Sequence, residues 1–265
     1  MGGLGTGELL QALPSSDRKD CESVIEAARQ AANWKPPAKV PARMARAAIQ
    51  KTELLVGKRL KTLGRQPALA CAKGCASCCY GTKVDISAPE ALLLAEFLKE
   101  TLGAAELAGL VDGVKQEASR IRDFSLESRA LDRAPCVLLE STTQSCRVHA
   151  VRPMACRAHH SLEVEPCVRA FEDPGGEHFA LMDPEILRSF ELGAFALEHA
   201  LRAKGLDGES YELTQALLIA LSEPDAAQRW LKGQPIFEAA RVPSDEADRE
   251  WVEQERGRAP LTTAR

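Results

Sequence analysis

The chain has 265 residues, of which 45% are hydrophobic, 27% charged and 5% aromatic, with a formal net charge of −4 at pH 7. That length and apolar content allow one substantial core that folds without covalent staples. The acidic balance gives no general attraction to nucleic acid, and so few aromatics leave little for a base-stacking surface. No run of about 18 apolar residues is present, so no membrane span is expected, and the opening MGGLGTGELLQALPSS lacks the basic and apolar segments of a secretory signal. The expected compartment is the cytoplasm, where thiols stay reduced and nine cysteines suggest metal rather than disulfides.

In chain order, residues 17–33 place Cys21, Val24, Ile25 and Ala28 at i, i+3, i+4 and i+7, one apolar face of a helix. KPPAKVP breaks the chain before a second helix over about 41–63, and KVDIS reads as a short strand. Ser87-Ala88-Pro89-Glu90 spells a capping box with proline in the first turn. It opens a helix bearing Leu94, Ala95, Leu98 and Leu102. The next helix, about 104–122, carries Leu107, Leu110, Val111, Val114, Ala118 and Ile121. Asp183-Pro184 starts another, with Leu187, Phe190, Ala194, Leu197 and Leu201, stopping at Gly205. A further helix holds Leu213, Ala216, Leu217 and Ala220, and Ser222 and Asp225 predict caps for a short final helix containing Trp230.

Residues 123–180 differ, with Pro135, Pro153, Pro166, Pro174, a Gly175-Gly176 pair, four cysteines and little helical period. A loop region this long needs something to order it, and metal would do so. The expected fold is mainly α, with helices packed around an irregular cysteine-rich metal-binding core. Its parts are an N-terminal helical region (1–66), a cysteine-cluster region with inserted helices (67–172), a C-terminal helical region (173–243) and an acidic tail (244–265), within one compact domain overall.

The chemistry lies in two cysteine groups. Cys71, Cys75, Cys78 and Cys79 form a dense set in which Cys75 and Cys78 have the two-residue gap that lets both thiolates face one ion. Cys71, Cys75 and Cys79 fall four apart, as one helical face would place them. Adjacent Cys78 and Cys79 do not easily point the same way, so they serve different metals, or one bridges or stands outside. Cys136, Cys146, Cys156 and Cys167 are dispersed. Buried small hydrophobes are the alternative reading for any cysteine, and they suffice for Cys21, which sits on an ordinary core face. Structural zinc usually takes two close cysteine pairs and only one is present, whereas iron–sulfur clusters accept thiolates from scattered positions. The expected cofactor is therefore an iron–sulfur cluster, with zinc the competitor. Cys71, Cys75 and Cys78 also match the spacing of the cluster-binding triad in radical enzymes using S-adenosylmethionine, but alternating buried strands are missing.

The stretches CAKGCASCC and APCVLLESTTQSCRVHAVRPMACRAHH resemble the YkgJ-type cysteine-cluster family, described as chelating zinc or iron. Order, spacing and the RPxxCR signature (Arg152-Pro153 and Cys156-Arg157) agree over about residues 68–170, with Cys167 as the final ligand the resemblance implies. His149 stands where the family often has an aromatic. The resemblance implies metal binding more firmly than any reaction. Flagellin lysine methylases resemble this chain only in the cysteine cluster. Their S-adenosylmethionine-dependent methylation is an alternative for which no glycine-rich nucleotide loop is visible.

Arg152 and Arg157 are candidate cofactor-binding residues, able to neutralise an anionic thiolate cluster, with structural salt bridges the competing role. His159 and His160 are candidate ligands or proton carriers. Lys35, Lys39, Arg43, Arg46, Lys51, Lys58, Arg59, Lys61 and Arg65 face Glu53 alone across 35–65, which reads first as a solvated helix face. The partner expected is a metal ion or cluster, with nucleic acid and membrane disfavoured. An enzyme, a metal carrier or redox-responsive protein, and a structural zinc module all stay open.

Overall fold

The computed structural model describes residues 6–176 and 178–242, so the acidic tail expected over 244–265 lies outside the described residues. The first helices are α1 (Thr6–Ala12), α2 (Ser15–Ala31) and α3 (Val40–Thr62). After the first cysteine group come β1 (Asp85–Ser87), α4 (Ala88–Thr101) and α5 (Ala104–Arg120). The middle of the chain holds α6 (Leu126–Asp132), β2 (Leu139–Glu140), β3 (Ser145–Cys146), α7 (Met154–Ala158) and α8 (Glu165–Glu172). It closes with α9 (Pro184–Arg202), β4 (Ser210–Glu212), α10 (Leu213–Ser222) and α11 (Ala226–Leu231). The fold is mainly helical.

Helices α2, α3 and α9 pack against one another, α3 also packs on α4, and α10 covers α4 and α5. Each brings its apolar side inward. Cys21, Val24 and Ala28 are buried on α2, as are Val114 and Ala118 on α5 and Leu197 and Leu201 on α9. Helix α4 is buried almost all round, from Ala91 through Ala95 and again at Leu98, because it is the central helix of the bundle. The capping box is formed as expected: Glu90 Oε2 accepts from the Ser87 amide at 2.9 Å and from its hydroxyl at 2.8 Å. Asp183 caps α9, its carboxylate accepting from the amides of Glu185 and Ile186. Gly205, at φ 68°, follows the end of that helix.

Two contacts fix how α9 lies on α3. Asp17 on α2, only 2% exposed, accepts from Arg59 on α3 at 2.7 Å and from Arg188 on α9 at 2.8 Å. Gly193 on α9 meets α3 so closely that an added Cβ would stand 2.3 Å from Thr52 Oγ1 and 3.1 Å from Met154 Sδ.

Three residues of the basic run are paired within the fold. Lys39 pairs with Glu100 at 2.9 Å, Arg59 with Asp17 and with Glu185 at 2.6 Å, and Arg65 with Asp183 at 2.5 Å. Arg43 lies over the Trp34 ring. These pairs favour the solvated, internally matched helix face over a basic docking surface. No helix among the described residues is long and apolar enough to cross a membrane.

Two expectations need correction. Residues 123–180, read as a long loop region of little helical period, hold three short helices and a hairpin. Pro153 is the residue before α7 and Pro166 stands in the first turn of α8. There, the missing amide costs nothing because first-turn amides have no helical partner. Ser222 ends α10 rather than capping α11, and Asp225 precedes α11 at φ 52° with no side-chain cap. The described strands are each two or three residues long, which excludes a strand–helix barrel among the described residues.

Candidate metal centre

The first cysteine group does not form an α-helix. The Cys75 amide donates to the Ala72 carbonyl at 3.0 Å, and a 3₁₀ turn follows at Ser77–Cys79. The spacing of four between Cys71, Cys75 and Cys79 therefore does not align them on one helical face. At its end this segment is stitched to the second group. The Cys136 amide donates to the Cys79 carbonyl at 2.7 Å, Tyr80 bridges Pro135, and the Gly81 amide donates to the Ala134 carbonyl at 3.2 Å. Gly81 must be glycine: its φ is 73°, and a Cβ would lie 2.8 Å from the Ala130 carbonyl oxygen.

From Cys136 the chain turns, the Leu139 amide donating to the Cys136 carbonyl at 2.8 Å, and enters the β2–β3 hairpin, where Cys146 pairs with Leu139. Val148 and Val151 anchor the next stretch in the core. Arg152-Pro153 then leads into α7, which carries Cys156 and packs on α9. Glu90 holds the start of α7 as well as α4, its Oε1 accepting from the Met154 amide at 2.9 Å. This second task of a capping carboxylate has no sequence signal.

The loop after α7 reaches back to Cys71. The Ser161 amide donates to Cys71 Sγ at 3.3 Å, and the Ala70 amide donates to the Ser161 carbonyl at 2.9 Å. Ser161 is buried, and its hydroxyl donates to the Glu163 carbonyl at 2.7 Å. Cys167 lies one turn further, its Sγ directed at the Glu163 carbonyl at 3.9 Å. Helix α8 packs on the 3₁₀ turn Ser77–Cys79, and the Tyr80 and Phe171 rings meet edge to face with centroids 5.1 Å apart. Nothing in the residue pattern pointed to Ser161 beyond its place after His159 and His160. His160 itself is buried and occupied at both nitrogens, Nδ1 against the Ala158 carbonyl at 2.7 Å and Nε2 accepting from the Asp183 amide at 2.8 Å. Those bonds give His160 a positioning task in place of the ligand role considered for it.

All nine cysteines are free thiols. Cys21 alone is buried, donating to the Leu192 carbonyl at 3.6 Å, and burial pushes its pKa up to about 12. Cys71, Cys75 and Cys78 are exposed, while Cys79, Cys136, Cys146, Cys156 and Cys167 are half-buried. The thiols interact. Hydrogen bonding from Cys79 brings Cys78 down to about 7, with the Arg152 charge assisting against burial. The same bond, with burial and the neighbouring Cys78, Cys136 and Cys146, pushes Cys79 up. Burial raises Cys136 to about 11 and raises Cys146 and Cys156, with neighbouring cysteines adding to all three. Burial raises Cys167 too, and there the neighbours are Cys71, Cys75 and Cys78.

Arg152 is the cation that faces these sulfurs, acting on Cys78, Cys146 and Cys156. Its Nε is buried without a hydrogen-bond partner among the described residues. Arg157 points elsewhere, pairing with Glu53 and donating to the carbonyls of Arg152 at 2.8 Å and Ala150 at 3.1 Å. Among the described residues no three His, Cys, Asp or Glu side chains surround a single-ion position. The donor set nonetheless fits a thiolate-held group, since eight free sulfurs lie on hydrogen-bonded segments beside a buried guanidinium nitrogen that has no partner among the described residues.

Residues 70–173 match the family model CxxCxxCC, described as a "putative zinc- or iron-chelating domain", which is the cysteine-cluster family the sequence resembles. The match supports a metal-binding role. No curated protein and no solved structure matches the chain.

Proposed function

We propose that the chain holds an iron–sulfur centre through Cys71, Cys75, Cys78, Cys79, Cys136, Cys146, Cys156 and Cys167. The observation that carries this reading is their placement: eight free thiols, none fully buried, on segments joined by backbone hydrogen bonds, with the buried Arg152 Nε near Cys78, Cys146 and Cys156. Structural zinc usually takes two close cysteine pairs, and among the eight only Cys75 and Cys78 have that two-residue gap. Bridged iron and sulfide span wider separations and accept thiolates from dispersed positions. Bound there, the cluster would supply one-electron chemistry. The protein's own part is to hold the sulfurs on paired loops, to deliver thiolate at Cys78, and to offset the accumulated negative charge with Arg152. Protein purified without oxygen is expected to be brown, with iron and acid-labile sulfide. A colourless anaerobic preparation carrying stoichiometric zinc and no sulfide would overturn the choice of metal.

A carrier or redox-responsive role is the second reading, favoured by the exposure of Cys71, Cys75 and Cys78 at the surface. Rapid transfer of metal to a chelator would select it, and slow transfer would select a resident centre.

A further inference from the structure

We propose that Ser161 is a positioning residue for Cys71, a buried polar hub that props this exposed thiol against the capped start of α9. The assignment deepens the metal-binding reading above and rests on it for its purpose, while its geometry stands on hydrogen bonds. Cys71 lies on a stretch with neither helix nor strand to hold it. Ser161 holds it twice. Its amide donates to Cys71 Sγ at 3.3 Å, and its carbonyl accepts from the neighbouring Ala70 amide at 2.9 Å. A serine only 1% exposed is costly unless its polar atoms are matched, and here they are. The hydroxyl donates to the Glu163 carbonyl at 2.7 Å and accepts from the amides of Leu181 at 3.1 Å and Glu163 at 3.4 Å. That uses its one proton and both lone pairs.

The other end of the prop is the bundle. The Leu162 amide donates to the Leu181 carbonyl at 2.8 Å, and the Asp183 amide to His160 Nε2 at 2.8 Å. Residues 160–162 and 181–183 are thus sewn together, and Asp183, fully buried, caps α9. A path of hydrogen bonds therefore runs from Cys71 through Ser161 to the first turn of a helix that packs on α2, α3 and α7. The Glu163 carbonyl gripped by Ser161 is also the one that Cys167 Sγ faces at 3.9 Å. Partners that orient metal ligands, and donors to cluster sulfurs, are among a protein's controls on such a centre. A serine that only closed a turn would cost stability when replaced, but it would not single out one thiol.

The test reads Cys71 in the reduced, metal-free chain by alkylation mapped with mass spectrometry. At about pH 10, above the ordinary thiol value of about 8.5, ionisation does not limit the rate. Ser161→Ala should speed labelling of Cys71 several-fold while Cys75 keeps its wild-type rate and the buried Cys21 stays unlabelled, which reports an intact bundle. Ser189→Ala removes another buried hydroxyl bonded to a carbonyl, that of Glu185 at 2.7 Å, and should leave Cys71 unchanged. After anaerobic reconstitution with iron and sulfide, Ser161→Ala should speed metal release to a chelator roughly 10-fold. In the Cys71→Ser chain the same substitution should add nothing, because its effect passes through that sulfur. A reciprocal measurement leaves Ser161 intact: Cys71→Ala should raise hydrogen exchange at the Ser161 amide, and Cys75→Ala should not. An unchanged Cys71 labelling rate, a full effect on release without Cys71, or equal exchange in the two cysteine variants would overturn the assignment. A wild type that loads no metal would instead overturn the metal reading, with labelling and exchange still deciding whether Ser161 holds Cys71.

Discussion

The amide of Cys136 donates to the carbonyl of Cys79 at 2.7 Å, so one backbone hydrogen bond joins the dense cysteine group to the dispersed one. That bond, the Tyr80–Pro135 bridge and the β2–β3 hairpin are short backbone pairings, with the exposed or half-buried cysteines between them. The helices of the bundle bury most of their apolar faces against one another, with Leu138, Val148, Val151 and Met154 from the cysteine layer joining the same core. Chelation should therefore leave most of the far-ultraviolet helix signal while new protease cuts appear within 68–172, because metal binding energy there counts toward folding. Mapped cuts spread evenly through α2, α3 and α9 would show that the metal holds the whole fold.

Cys21→Ala should keep full metal content and lose about 1 kcal/mol of stability, the cost of a small core cavity. Cys75→Ser should show the reverse, with metal lost and the bundle intact. Equal metal loss in the two variants would contradict the separation of Cys21 from the site.

Arg152 and Arg157 should behave differently although both belong to the RPxxCR signature. Arg152→Met removes the cation facing Cys78, Cys146 and Cys156, and should weaken metal binding by roughly 10-fold or more, as loss of supporting partners around metal ligands does. It should also make the centre harder to reduce. Arg157→Met breaks the Glu53 pair and two carbonyl bonds, so its main effect should be on stability. Competition titration against a chelator, beside urea denaturation, separates the two, and an equal loss of affinity in both would sink the distinction.

Glu90 accepts from the Ser87 amide, the Ser87 hydroxyl and the Met154 amide while only 5% exposed. Glu90→Ala should cost about 2 kcal/mol by leaving buried donors unmatched. It should also speed metal release, since α7 carries Cys156. Unchanged release kinetics in a destabilised variant would confine Glu90 to helix capping.

Asp17 carries a pH dependence whose sign follows from its neighbours. Burial alone would raise its pKa, but the hydrogen bonds and charges of Arg59 and Arg188 outweigh that and hold it below the ordinary carboxylate value. A lowered folded-state pKa means stability that is present above the unfolded pKa, about 3.9, and is lost as pH falls through the folded one. Asp17→Asn should cost about 2 kcal/mol at neutral pH, because it removes the buried charge shared by Arg59 and Arg188 while Arg59 keeps Glu185. The gap to wild type should narrow in strong acid. A gap independent of pH would mean that packing, not charge, makes Asp17 matter.

The bundle was legible because its helices alternate face with the helical period, as Cys21, Val24 and Ala28 do on α2, and because Ser87–Glu90 and Asp183 carry local cap chemistry. The cysteine layer was legible in composition but not in shape. Pro153 and Pro166 signal either a break or a helix start, and only the packing of α7 on α9 and α8 on Ser77–Cys79 decides between them. Asp225 has the right residue type for a cap, but its left-handed backbone turns the carboxylate away from the task. The joining of the dense cysteine group to the later segments is set by bonds between residues remote in sequence, Ala70 with Ser161 and Cys79 with Cys136, which no local pattern encodes.

Gly193 ties the sulfur layer to the bundle by having no side chain. The hydrogen atom there allows α9 to lie against Thr52 and Met154, and Met154 stands two residues before Cys156. A methyl group at 193 would meet Thr52 on α3 first, with Oγ1 and Cγ2 only 2.3 and 2.9 Å away, while the flexible end of Met154 need give only a few tenths of an ångström. The lean of α9 on α3 is thus gauged by a single hydrogen atom, and a larger residue at 193 should be tolerated only with a smaller one at 52.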